Sequence, residues 1–220
     1  MIKIENTDVS GWEAAIRGMR NPMNSWDKSD SKYADIGKGI PYYEVGENDL
    51  KLMKQLVQAG SDHSKFMRMI NVTVDVTAPL YWWKEADTYK VGTVRNSCST
   101  MHKITAKEFE LDDFSWEHLR LSFGKSKNGE LTSTGSFGIL QVVIFTLNEA
   151  RKKYLETNDK IWWWQIIQLL PSSYNQRATL QLNYAVLRNI YHSRKNHRLD
   201  EWHDFCHWIE SLPYSELITL

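Results

Sequence analysis

The sequence predicts an α+β protein in which several helices pack on a small sheet within one domain. Three observations carry this. Amphipathic stretches with helical spacing recur along the chain. Ile70, Val72, Val74 and Val76 alternate with Asn71, Thr73 and Asp75, the period of two that marks a strand with one buried face. The 220 residues run without a Pro/Gly/Ser-rich linker, so the domain is expected to span 1–220 around one core.

Taken in order, Asn48 is positioned to cap a helix whose apolar face is Leu50, Met53, Leu56 and Val57, and Gly60 stops it. The alternating strand follows at 70–76. Thr77 and Pro79 then signal a helix running through LYWWKEADTYK. ITAKEFELDDFSWEHLR offers few boundaries, and KSKNGELTSTGS, residues 125–136, is a turn-rich loop. FGILQVVIFTLNEARKKYLETND predicts a long, mostly buried helix with a charged end. Residues 160–170 predict another, broken before Pro171, and 178–192 and 200–212 predict two further amphipathic helices.

Composition narrows the function classes. Apolar residues make up 42% and charged residues 25%, the balance of a soluble globular protein. Lys+Arg and Asp+Glu are 27 each, so nothing in the net charge favours coating nucleic acid. Cys98 and Cys206 make neither a disulfide framework nor a zinc site, and two free thiols fit a reducing compartment. MIKIENTDVSGW has no apolar signal-peptide core, and FGILQVVIFTL is too short to span a membrane. The expectation is a cytoplasmic protein without a membrane segment. Ten tryptophans, including WW at 82–83 and WWW at 162–164, are read as core and subunit interface before a ligand-stacking platform.

Several candidate chemistries can be weighed. His203 and His207 share a helix face, but HDFCH lacks the general-base Glu of H-E-x-x-H, which speaks against zinc. Cys98 has His102 four residues on, yet a buried, inert thiol explains it more simply than a nucleophile. There is no G-x-G-x-x-G and no P-loop, so side chains must hold the phosphates of any bound nucleotide. RNIYHSRKNHR, residues 188–198, reads as a nucleic-acid patch or as the cationic end of a helix. TYKVGTVRNSCSTMHK, residues 88–103, crowds Asn96 and the small polar side chains up to Thr100 beside Lys90 and Arg95, which suits a loop that receives a ligand. The alternative is a loop whose hydroxyls bond its own backbone.

Two regions resemble the flavin-dependent thymidylate synthases. That family carries Arg-His-Arg, then seven or eight residues, then Ser; here Thr88-Tyr89-Lys90 is followed by eight residues and Ser99. The family also has Leu-Pro, an Asn twelve beyond the Pro, another Asn six further, and an Arg five beyond that. Leu170-Pro171, Asn183, Asn189 and Arg194 repeat those spacings. The resemblance covers roughly residues 48–104 and 165–215.

It implies a thymidylate synthase-complementing-like fold with a small, mainly antiparallel sheet. It also implies a homotetramer with active sites between subunits. The implied activity is methylation of dUMP to dTMP with FAD, methylenetetrahydrofolate and a reduced nicotinamide such as NADPH. By position, Arg194 would polarise the pyrimidine, and Glu85 and Ser99 would contact the nucleotide. Lys90, Asn96, Asn183 and Asn189 would contact the flavin, with Arg68 standing in for a lost cation. The departures are specific. The triplet keeps one cation of the family's set, Met101 occupies an arginine position, and Ala185 occupies another. They leave two alternatives: a relative acting on a different pyrimidine nucleotide, or a catalytically silent nucleotide- or nucleic-acid-binding module.

Overall fold

The structure, a computed structural model, describes residues 2–35, 41–122, 124, 127–128 and 135–220, so most of the loop expected at 125–136 lies outside the described residues. In chain order the regular elements begin with β1 (Lys3–Ser10), α1 (Trp12–Arg20), β2 (Lys32–Asp35), β3 (Pro41–Glu44) and α2 (Glu47–Gln58). They continue with β4 (Asn71–Pro79), α3 (Leu80–Ala86), β5 (Val94–Ser97) and α4 (Thr100–Lys103). The last are α5 (Ser136–Thr157), α6 (Lys160–Leu169), β6 (Asn175–Asn183), α7 (Tyr184–Arg194), α8 (Asp200–Glu210) and α9 (Glu216–Thr219). The α+β class follows: helices with a four-stranded sheet ordered β1-β4-β6-β5 and the antiparallel hairpin β2-β3.

The strand at 70–76 is longer than the alternation alone predicts. Pro79 ends β4 instead of opening the next helix, and α3 stops at Ala86, short of the triplet. The larger correction is β6. The stretch 178–192 reads as one helix, but 178–183 is strand. Ala178, Leu180 and Leu182 are buried while Thr179 and Gln181 are exposed, a period of two that runs straight into α7 without a breaker. Tyr184 N–H donates to Ile70 O (3.1 Å) at one end, and Leu80 N–H donates to Tyr174 O (3.0 Å) at the other. These two bonds share one register and make β4 and β6 antiparallel neighbours.

Residues group into two compact units. The first gathers Ile2–Val76, Asp87–Asn96 and Thr179–Leu220. Its core includes Ile16, Met53, Phe66, Leu187, Trp202 and Ile209, all nearly inaccessible to solvent. Burying each such side chain contributes about 1.5–3 kcal/mol. α2 begins at Glu47, one residue before the expected cap Asn48, because a distant carboxylate does the capping. Asp30 accepts the N–H groups of Asn48 (2.9 Å) and Asp49 (3.1 Å). At its other end Gly60, at φ +107°, follows the last turn as expected.

A buried ion pair orders the stretch after α1. Arg20 Nε lies 2.6 Å from Asp49 Oδ1, and the Asp49 carboxylate also accepts the hydroxyls of Ser29 and Ser31, each at 2.6 Å. Burial works against the Asp49 charge, but the Ser29, Ser31 and Arg20 hydrogen bonds outweigh it and hold the carboxyl below its ordinary range.

The second unit gathers Thr77–Ala86 and Ser97–Ala178. Phe109, Phe114, Leu140, Leu147 and Ile166 form its core, with α6 packed on α5. Trp82 and Trp83 are buried, and Trp83 Nε1 donates to Gln176 O (2.9 Å), the core role expected of that pair. α5 is less buried than expected: Ile139, Val142 and Phe145 are each more than half exposed. Three apolar side chains on one outer stretch of a helix are a larger apolar display than scattered surface residues.

Candidate functional site

In the first unit the motif residues converge on α7. Asn183 is the last residue of β6 and the N-cap of α7; its side-chain oxygen accepts the N–H of Val186 at 3.1 Å. Gly92, at φ +76°, lies so close that a Cβ there would sit 3.0 Å from Asn183 Nδ2. The turn that follows the triplet therefore meets the start of α7 through a glycine. A larger residue at position 92 would push against Asn183.

Arg194 is the last residue of α7, eleven positions after the cap. Its Nε donates to the Tyr89 hydroxyl at 2.8 Å. Its guanidinium carbon lies 5.5 Å from the centre of the Tyr89 ring and 4.8 Å from that of Trp202. The cation thus rests between two aromatic rings, which orient it. Tyr89 is the middle residue of Thr88-Tyr89-Lys90, so the two stretches that carry the family spacing meet at this contact.

The remaining expected residues are placed as follows. Lys90 and Asn96 are exposed, as is Asn189 on α7. Arg68 lines a cavity of about 250 Å³ together with Ser61, Ser64, Ala185 and Arg188. Two guanidinium groups and two hydroxyls face that cavity, and the described lining holds no carboxylate. Burial lowers the pKa of Arg188 from its ordinary value. Ala185, which occupies an arginine position of the family, thus shares a cavity with Arg68, the residue expected to replace a lost cation. Arg95 plays a different part from that suggested by its place in the polar loop. Asp87 Oδ1 and Oδ2 accept its Nη1 at 2.7 and 2.6 Å, so its charge is matched locally.

In the second unit Glu85 lies on α3 and Ser99 caps α4, accepting the N–H of His102 at 3.3 Å. Ser99 lines a cavity of about 210 Å³ whose described lining does not include Glu85. Cys98 is exposed, against the expectation of a buried thiol, because it follows the outer end of β5. Cys206 is buried, and desolvation pushes its thiol up to about 11. Among the described residues no group of three or more His, Cys, Asp and Glu side chains is placed to hold a metal. No helix among them is long and apolar enough to cross a membrane.

The residues that sequence reasoning missed are Tyr89, Trp202 and Arg188. Tyr89 had a signal, its place within the triplet. Arg188 opens the basic stretch 188–198, which reads as a nucleic-acid patch or a helix end, and Trp202 had no signal beyond its predicted helix, because its part depends on which side of the helix meets the loop.

No protein-family model matches the chain, and no curated protein matches it. Among solved structures it is similar to the flavin-dependent thymidylate synthase ThyX from Helicobacter pylori, complexed with FAD and dUMP. The identity is 16%, the TM-score 0.67, and the match covers 98% of this chain and 97% of that one. It is also similar to the UMP/dUMP methylase PolB from Streptomyces cacaoi, bound with 5-Br UMP. There the identity is 16% and the TM-score 0.59, with 100% of this chain and 94% of that one covered. With nearly the whole length matched on both sides, this chain has the fold of the flavin-dependent thymidylate synthases.

Proposed function

We propose that this protein is a flavin-dependent methyltransferase acting on a pyrimidine nucleotide, in a single functional domain spanning 1–220. The reaction is methylation of dUMP to dTMP with methylenetetrahydrofolate and NADPH, or the same transfer on a close relative of dUMP. The observation that carries it is the contact of Arg194 with Tyr89. It joins the two spaced motifs, far apart in sequence, within a fold shared with a thymidylate synthase complexed with FAD and dUMP.

Each residue has a role in this reading. Arg194, held by the Tyr89 and Trp202 rings, offers a fixed positive charge to the pyrimidine carbonyl and stabilises negative charge that develops on the ring. Glu85 and Ser99 contact the nucleotide. Asn183, Asn189, Asn96, Lys90 and Arg68 hold the flavin. The cavity over Arg68 and Arg188 fits the demands of an FAD diphosphate, since it has cations and hydroxyls and no described carboxylate to repel an anion. FAD, when bound, supplies the hydride and carrier chemistry that no side chain can. The exposed Ile139, Val142 and Phe145 of α5 support self-association, and we take the working assembly to be a homotetramer with sites at subunit interfaces. Its compartment is the cytoplasm.

A second substrate is favoured by one observation. The UMP/dUMP methylase matches alike with 5-Br dUMP and with 5-Br UMP bound, which supports a ribonucleotide beside dUMP as substrate.

The test is an absorption spectrum between 300 and 550 nm after incubation with FAD and gel filtration. NADPH oxidation is then assayed with dUMP and with UMP. A retained flavin band and nucleotide-stimulated oxidation are expected. A folded protein that takes up no FAD overturns the reading and leaves a binding module on the same fold.

A further inference from the structure

A cavity of about 830 Å³ opens in the first unit, between the end of β1, the start of α1, the β2-β3 hairpin and the turn at Pro213-Tyr214. It shares no lining residue with the cavity over Arg68 and takes no part in the proposed function. Its volume falls within the ~300–1,000 Å³ of small-molecule sites, so it has room for a whole ligand.

Aromatic rings in two pairs, each set edge to face, line it. Trp12 and Tyr214 have ring centres 5.0 Å apart at 72°, and those of Tyr33 and Tyr43 are 5.0 Å apart at 81°. Each pair is fixed in place. The Tyr214 hydroxyl accepts the N–H of Val45 at 3.1 Å, and Tyr214 holds φ +51°, a left-handed value uncommon for a tyrosine. The Tyr33 hydroxyl donates to Glu13 Oε2 at 2.9 Å, and Tyr33 lies directly opposite Tyr43 in the hairpin.

Rings near right angles make corners. A flat group stacks on only one face of a corner, whereas a rounded cation touches both. The charge points the same way. The described lining carries two carboxylates, Asp8 and Glu13, and one cation, Arg17. Arg17 Nη1 lies 3.6 Å from Glu13 Oε1, which matches that pair. Asp8 is exposed and has no ion-pair partner among the described residues, so the surplus charge is negative. A bare ammonium is compact and strongly hydrated, and ring faces do not replace its water. A methylated ammonium is rounded and gives up its water more readily, and ring faces and a carboxylate attract it together.

We propose that this cavity is a further binding site, for a small organic cation of the quaternary ammonium class. The rings of Tyr33, Tyr43, Trp12 and Tyr214 cage the methylated head, and Asp8 supplies the opposite charge. The site is independent of the nucleotide reading given above.

Calorimetric titration of the full-length protein tests it with two probes, choline and 3,3-dimethylbutan-1-ol, which has the same shape without the charge. Choline should bind about tenfold or more tighter than the alcohol. Asp8→Asn should weaken choline about three- to tenfold and leave the alcohol unchanged. Tyr33→Leu should weaken choline by a similar factor, while Tyr33→Phe, which keeps the ring, stays within about threefold of wild type. Thermal melting of each variant checks that it is folded. If choline does not bind, or the alcohol binds within threefold of it, the cavity is no cation site. If Asp8→Asn and Tyr33→Leu both keep choline affinity within twofold, the cation is held elsewhere. Either result overturns this assignment and leaves the proposed function standing, since neither probe is a nucleotide or a flavin.

Discussion

Two arginines end two helices of the same unit, and they are used in opposite ways. Arg20 closes α1 and is buried; its Nε, Nη1 and Nη2 donate to Asp49, to Ser25 O (3.1 Å) and to Lys28 O (3.0 Å). Its charge is cancelled by the Asp49 carboxylate, and its other donors order residues 25–28. Arg194 closes α7, is half-buried, and rests on the faces of Tyr89 and Trp202. Aromatic faces hold a guanidinium in place through attraction to the ring electrons. The comparison sets a scaffold arginine beside the one proposed to face the nucleotide. Arg20 is fixed by an opposite charge, Arg194 by a hydroxyl and two ring faces.

The largest expected effect tests the scaffold side. Arg20→Ala leaves Asp49 buried and unpaired, and should destabilise the fold by about 3–5 kcal/mol in denaturant titrations. The same pair predicts a pH dependence. The folded pKa of Asp49 lies below its unfolded value of about 3.9, so its stabilisation is full above roughly pH 5 and is lost as pH falls through the folded value. Asp49→Asn should therefore be less stable than wild type at neutral pH and should lose less on acidification. A variant whose acid limb superimposes on that of wild type would remove Asp49 from this role.

Next in size is the arginine proposed to face the nucleotide. Arg194→Ala should lower turnover by about 10²–10³-fold, as loss of a charge-stabilising donor does elsewhere. It should also leave thermal stability near that of wild type. A stability loss comparable with that of Arg20→Ala would erase the distinction between the two arginines.

The smallest effect sharpens the distinction. Tyr89→Phe keeps the ring under Arg194 and removes the hydroxyl that accepts from Nε. It should cost about 0.5–1.5 kcal/mol, roughly two- to tenfold in kcat/KM. Tyr89→Leu should cost more, because it removes the ring face as well. Equal losses for the two variants would mean that the ring contributes nothing to holding the cation.

How much of this was legible beforehand differs from element to element. α2, α6 and α8 announce themselves by apolar spacing and by stop signals such as Gly60 and Pro171, and β4 by its alternation. β6 does not, because its alternating Ala178, Leu180 and Leu182 run without a break into the helical Tyr184, Leu187 and Ile190. A period of two and a period of 3.6 overlap over so short a run that one helix accounts for both. Only pairing with β4 resolves the ambiguity, since it engages the backbone of 175–183 in a ladder. The exposure of α5 was hidden for a similar reason. Its composition is that of a buried helix, and sequence does not record which neighbours are present to cover it.

The α+β class, the helical face of α2 and the eleven-residue step from Asn183 to Arg194 follow from residue order alone. Local periodicity and fixed spacing are properties of the chain, and regular backbone geometry translates them directly. Which charges meet follows from long-range packing. It set Tyr89 against Arg194 across 105 residues and Arg68 beside Ala185. Such contacts depend on how loops close and which side of a helix faces inward. Those outcomes come from burial and packing summed over a whole unit, and no local stretch of residues encodes them.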